Sequence, residues 1–170
     1  APSGKNRQPW KFFVYGGEEK KKILSEMRKG IKRELKEPLF KESKRLLPDA
    51  DNTLRIMMNA PVVVFVINTN GKSPMENIDM DDRFSEICDT LSIGAAIENM
   101  LLAAQELGVG SLWIGNTCFA YRELAEYIGE EGQLIGAVAF GIADEEPEAG
   151  AGEEDGSTVG RGNCRICNCE

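Results

Sequence analysis

The chain contains no histidine among its 170 residues. That absence removes the Ser-His-Asp and Cys-His nucleophile arrangements, His-ligated zinc sites and the commonest general base near neutral pH. Chemistry must then come from other side chains, from the backbone or from a borrowed cofactor. Cysteine is scarce and odd in number, and Cys88, Cys118, Cys164, Cys167 and Cys169 fit no simple disulfide framework. Cys88 and Cys118, far apart and set among apolar neighbours, are expected to be reduced thiols in or near the core. Long apolar runs are missing too. None approaches the roughly 20 residues of a membrane-spanning helix, and no charged-then-apolar leader is visible, so a soluble, cytoplasmic protein is the expectation.

Positive charge is in deficit, with a net of -8, which argues against nucleic acid as a partner. The deficit is local. Residues 144–170 hold eight acids against two arginines, whereas residues 18–47 hold 11 Lys or Arg against six Glu, read as solvated helix faces. Composition also changes near Glu145, and 150–170 is expected to be a disordered acidic, Gly-rich, Cys-containing tail. Its C-x-x-C-x-C spacing offers three thiolates without a nearby fourth ligand, so no metal site is assigned.

What is present is an alternation of strands and helices. Residues 10–15, "WKFFVY", read as a strand closed by Gly16-Gly17. Ile23, Met27, Ile31 and Leu35 recur every four residues and predict an amphipathic helix over about 18–33. A second, short helix over 39–47 is expected to stop at Pro48. The six apolar residues 62–67, "VVVFVI", need cover on both faces and predict a central strand. Residues 69–83 read as a loop. Ile93, Ala96, Ile97, Met100, Leu101 and Ala104 then mark a helix over 87–107, apolar over a wide arc and capped by Gly108. A strand at 109–116, a helix at 121–128 stopped by Gly129, and a strand at 133–143 complete the order. The glycines of the last strand mark places where something approaches the backbone.

Two polar turns stand at strand ends, where sheets of this kind place ligands. One is the opening Pro2, Ser3, Gly4 and Asn6; the other is Trp113, Ile114 and Gly115, where glycine leaves the backbone open to a flat ligand.

"APSGKNRQPWKFFVY" resembles the Pro-Ser-x-x-Asn-x-Gln-Pro-Trp-x-Phe motif of the FMN-dependent nitroreductase family. "AAIENMLLAAQELGVGSLWIG" (95–115) is similar to its central helix and flavin-contacting turn, and "GAVAFGIADEEPEA" (136–149) to its last core strand and exit. The resemblance spans residues 1–149. It implies an α+β three-layer sandwich with a central mixed sheet flanked by helices, assembled as a homodimer with FMN at the interface. It also implies hydride transfer from NADH or NADPH through flavin N5 to a nitroaromatic, quinone or similar small-molecule acceptor, in a ping-pong cycle without nucleic acid or membrane. Carried over by position, the cofactor-binding residues are Pro2, Ser3, Gly4, Asn6, Trp113, Ile114 and Gly115. Asn6 is placed against the isoalloxazine, and the backbone near Ile114 and Gly115 against N5; Gln8, Pro9 and Trp10 are scaffold. No side chain is assigned as catalytic, since FMN carries the chemistry. The family's Arg-Arg-Ser-x-Arg motif, which holds the phosphate, is not found, so the 1–149 domain is expected to be N-terminally incomplete. The alternatives are a non-catalytic or truncated flavin-binding protein, or a related flavin chemistry such as reductive dehalogenation.

Overall fold

Four strands form one sheet in the order β1-β2-β4-β3: β1 (Trp10–Gly16), β2 (Val62–Asn68), β3 (Gly110–Ile114) and β4 (Gln133–Gly141). The computed structural model describes residues 1–142. The expected tail at 150–170 and the end of the 1–149 domain lie outside the described residues. All three pairings are antiparallel, and the parallel pairing that a mixed sheet needs is not among them.

Alternation along β2 creates the layers. Val63, Phe65 and Ile67 point to one face, where α1 (Gly17–Lys36), α2 (Ser43–Asn59) and α4 (Tyr121–Ile128) cover them with Ile23, Leu24, Met27, Leu54, Met57 and Leu124. Val66 points to the other, where Ile93, Ile97 and Leu101 of α3 (Met80–Glu106) meet it. Each such fully buried side chain contributes about 1.5–3 kcal/mol. The expected three-layer α+β arrangement with β2 inside the sheet is thereby realised. A register shift between Val66 and Ile67 leaves Ile135 of β4 without a partner, so this bulged residue turns toward the α3 side.

Close approaches fix the layers. A Cβ on Gly30 of α1 would lie 2.3 Å from the Cβ of Ala120, in the 3-10 turn Asn116–Ala120 that precedes α4. One on Gly136 of β4 would lie 2.7 Å from the Ile114 carbonyl oxygen, as expected of a glycine placed for backbone contact.

Four further expectations change. The second helix does not stop at Pro48 but runs through it to Asn59. The roughly 3 kcal/mol cost of an interior proline is outweighed by the burial of Leu47, Ala50, Leu54 and Met57. The long helix starts at Met80, inside the expected loop, because the Asp79 carboxylate accepts from the Asp82 N–H at 2.8 Å and caps it. Cys88 and Cys118 are exposed rather than near-core. Finally, α3 is the one helix among the described residues that is long and apolar enough, by composition, to cross a membrane. It owes this to two apolar faces. One is buried on the sheet, and the other leaves Phe84, Ile87, Leu91 and Leu102 exposed.

Candidate functional site

The opening turn is a short 3-10 segment, Gly4–Asn6, whose backbone is left-handed at Lys5 (φ 54°) and Asn6 (φ 53°), and again at Gln8 (φ 49°). Glycine would adopt these angles freely, whereas other residues are strained there. Hydrogen bonds hold the turn. The Asn6 N–H donates to the Ser3 carbonyl at 3.0 Å, the Gln8 N–H to Ser3 Oγ at 3.1 Å, and Gln8 Nε2 to Asn6 Oδ1 at 3.2 Å. Two contacts reach α3: the Gly4 N–H donates to Ser92 Oγ at 3.3 Å, and Arg7 Nη2 lies 2.9 Å from Asp89 Oδ1. Pro9 anchors the exit, its carbonyl accepting from the Thr69 N–H at 2.9 Å.

At the second turn Ile114 is buried beneath β4, while Trp113 is 45% exposed and leans toward α3 at Gly94. Nothing lies within 4 Å of the place a Gly115 Cβ would occupy, so its backbone faces open space. Asn116 Nδ2 donates to Thr53 Oγ1 at 3.0 Å, tying the turn to α2.

A cavity of about 500 Å³ opens between α3 and the start of β4, lined by no residue of either turn. Phe40, Met75, Ile87, Leu91, Cys118 and the bulged Ile135 give it an apolar wall; Glu86 and Gln133 close one end in polar groups. Phe40 is positioned by Glu34, a fully buried carboxylate. Glu34 accepts from the N–H groups of Leu39 (2.7 Å) and Phe40 (3.1 Å), from Arg33 Nη1 (2.9 Å) and from the Ser43 hydroxyl. Burial pushes its pKa up, but the bonds from Ser43, Phe40, Leu39 and Arg33 outweigh it and hold the carboxyl below its ordinary range. Arg33 also reaches Glu123 at 2.7 Å and the Phe119 carbonyl at 3.1 Å, locking α1 to the segment that carries Cys118. Burial raises the Tyr121 pKa, so this wall hydroxyl is neutral and accepts from the Leu134 N–H at 3.3 Å.

The structure thus brings Pro2, Ser3, Gly4 and Asn6 together, and Trp113, Ile114 and Gly115 together, but not the two groups with each other. Register sets Ile114 level with Phe13, since Ile114 pairs with Ala137, Ala137 with Phe65 and Phe65 with Phe13, so the second turn starts three residues in from Trp10, where the opening turn joins the sheet. The strand order puts them on opposite edges. Three inter-strand steps of about 4.8 Å separate the edges by roughly 14 Å. Sequence reading missed the cavity residues Phe40, Ile87 and Ile135, and the α3 anchors Asp89 and Ser92. Only the last pair left a trace, as two polar residues at helical spacing within an apolar stretch.

The nitroreductase family profile matches residues 1–142, the whole described part. The chain belongs to the nitroreductase family. Solved structures agree in fold. A BluB-like flavoprotein from Clostridium difficile is 28% identical, with a TM-score of 0.70 over 90% of this chain and 79% of that one. A nitroreductase with bound FMN from Desulfitobacterium hafniense is 21% identical, with a TM-score of 0.64 over 95% and 80%. The FMN-dependent nitroreductase NfnB from Mycobacterium smegmatis, in complex with NADPH, is 18% identical, with a TM-score of 0.61 over 85% and 72%. This nitroreductase-family chain shares the fold of those proteins.

Proposed function

We propose that the chain is an FMN-dependent oxidoreductase that acts as a homodimer, taking hydride from NADH or NADPH and passing it to a nitroaromatic, quinone or similar acceptor in a ping-pong cycle. One observation carries the dimeric part of this reading. Two ligand-type turns lie on opposite edges of the sheet, and the outer face of α3 is apolar and open, with Phe84 61% and Leu91 71% exposed. A second copy seated on that face covers it and brings a partner's turn toward each turn of the first. Family membership supports the flavin and the oxidoreductase class, and the FMN and NADPH bound by relatives support the cofactor and the reductant.

The residues fit a flavin ring. The open backbone at Gly115 lets a flat ring approach without meeting a side chain. When bound, FMN supplies two-electron chemistry that no side chain here can. Pro2, Ser3, Gly4 and Asn6 bind and orient it from one edge, with the Asn6 amide as the directional hydrogen-bonding group. Trp113, Ile114 and Gly115 receive it from the other, where main-chain N–H groups near Gly115 bond the ring. No side chain is required to donate a proton.

The test is reconstitution of the full chain with FMN, removal of free flavin, and anaerobic titration with NADH or NADPH. A retained yellow chromophore, bleached by the nucleotide and restored by a nitroaromatic, is the expected outcome. A protein that takes up no FMN overturns the reading; one that binds FMN but is never bleached is a flavin carrier instead.

A further inference from the structure

We propose that Asp89 is a positioning residue which, through Arg7, holds the strained opening turn in the conformation that presents Asn6. For the identity of the ligand alone, this rests on the flavin reading. The Asp89 side chain is 1% exposed and sits on the sheet-facing side of α3, in the same buried stripe as Ile93 and Ile97. A buried carboxylate there costs several kcal/mol unless it is paired. Its partners come from the turn and the adjoining strand end, not from the core. Arg7 Nη2 forms an ion pair with Oδ1 at 2.9 Å without the alignment of a hydrogen bond, and Asn70 Nδ2 donates to Oδ2 at 3.1 Å.

Three residues further along α3, Ser92 accepts from the Gly4 N–H at 3.3 Å and donates to the Cys88 carbonyl at 2.8 Å. One face of one helix therefore grips the turn at both ends: Ser92 before the left-handed residues Lys5 and Asn6, and Asp89 after them. This grip explains a local contradiction. Lys5 and Gln8 hold left-handed backbone without being glycine, and so does Asn6, a residue that tolerates it better. Strain of this kind persists only where the surroundings over-determine it, and it clusters at functional positions. Arg7 itself is 37% exposed, so it reaches inward from the surface to serve the carboxylate rather than filling a core position.

Amide hydrogen exchange on the full chain, without ligand, tests the anchor. R7M and D89N are expected to speed exchange of the Asn6 and Gln8 amides at least tenfold while leaving Val64 and Val66 of β2 at wild-type rates, and R7K to recover most of the protection. The partly exposed Arg7 tolerates substitution, so R7M keeps the test valid should D89N fail to fold. With FMN added, the dissociation constant should rise in the same order, at least tenfold for R7M, with loss of the shift in the flavin absorbance band that accompanies binding. Wild-type exchange at Asn6 and Gln8 in R7M overturns the proposal; so does uniform acceleration across all amides, which marks a merely structural pair. The two readings fail separately. A wild type that binds no FMN, with R7M still loosening the turn, supports the anchor and overturns the flavin. A wild type that binds FMN, with R7M neither loosening the turn nor weakening binding, overturns the anchor alone.

Discussion

Replacing Glu34 by Gln should cost about 3 kcal/mol of unfolding free energy, because it removes one charge from a site built around that charge. Oε1 accepts from the Leu39 and Phe40 N–H groups and the Ser43 hydroxyl, and Oε2 from Arg33. A glutamine that keeps its oxygen toward the three clustered donors must turn its NH₂ toward Arg33, donor against donor. A hydrogen bond to a charged group contributes about 1.5–3 kcal/mol, and a buried partner left unpaired costs about 3–5 kcal/mol, which brackets the figure. For a chain of this length each kcal/mol moves Tm by about 2–4 °C, so a fall of about 6–12 °C is expected. Urea titration at pH 7 with an unchanged slope would measure it. The pH dependence follows from the sign of the shift. A carboxyl whose folded-state pKa is lowered stabilises the fold above its unfolded pKa and loses that contribution as pH falls through the folded value. The gap between wild type and E34Q should therefore be full at neutral pH and close below the ordinary carboxylate range. A difference under 1 kcal/mol at pH 7, or a gap that widens in acid, would refute the reasoning.

Gly136→Ala should cost about 1–3 kcal/mol and release bound flavin, since its Cβ meets the Ile114 carbonyl at 2.7 Å and must push β3 and its turn away; thermal melts and flavin retention report the two effects. Leu91→Asp, at a position 71% exposed, should leave the fold within about 0.5 kcal/mol yet convert the proposed dimer into monomers by light scattering. Gly108→Ala should cost about 1–2 kcal/mol from backbone strain alone, because φ is 71° and nothing lies within 4 Å of the new methyl; a loss of folding free energy in urea outside that range would contradict it.

Much of the fold was legible because its signals are local. The uninterrupted run at 62–67 announced β2, and Gly108 and Gly129 end their helices in the left-handed backbone (φ 71° and 65°) that glycine permits. The start of α3 was hidden since Asp81, Asp82, Arg83 and Glu86 break any apolar period in its first turns; the informative residue was the capping Asp79. Helix α2 ran past Pro48 because burial, a tertiary effect, overrode a local penalty. The two halves of the candidate site were each readable as a polar turn at a strand end. That they stand on opposite edges depends on the order β1-β2-β4-β3, which no local pattern encodes. The cavity wall draws on Phe40, Ile87, Cys118 and Ile135, scattered residues that only long-range packing collects.

In the proposed flavin-bound dimer, the separation of the turns across the sheet makes ligand occupancy and assembly a single linked equilibrium. When neither half-site suffices alone, flavin favours the paired chains by the same free energy with which pairing favours flavin. Dilution should then release flavin from the protein as surely as competition would, and the apparent flavin dissociation constant should fall as protein concentration rises until the pairs are saturated. Thermal stability would carry the same signature, rising with chain concentration in the presence of FMN more steeply than in its absence.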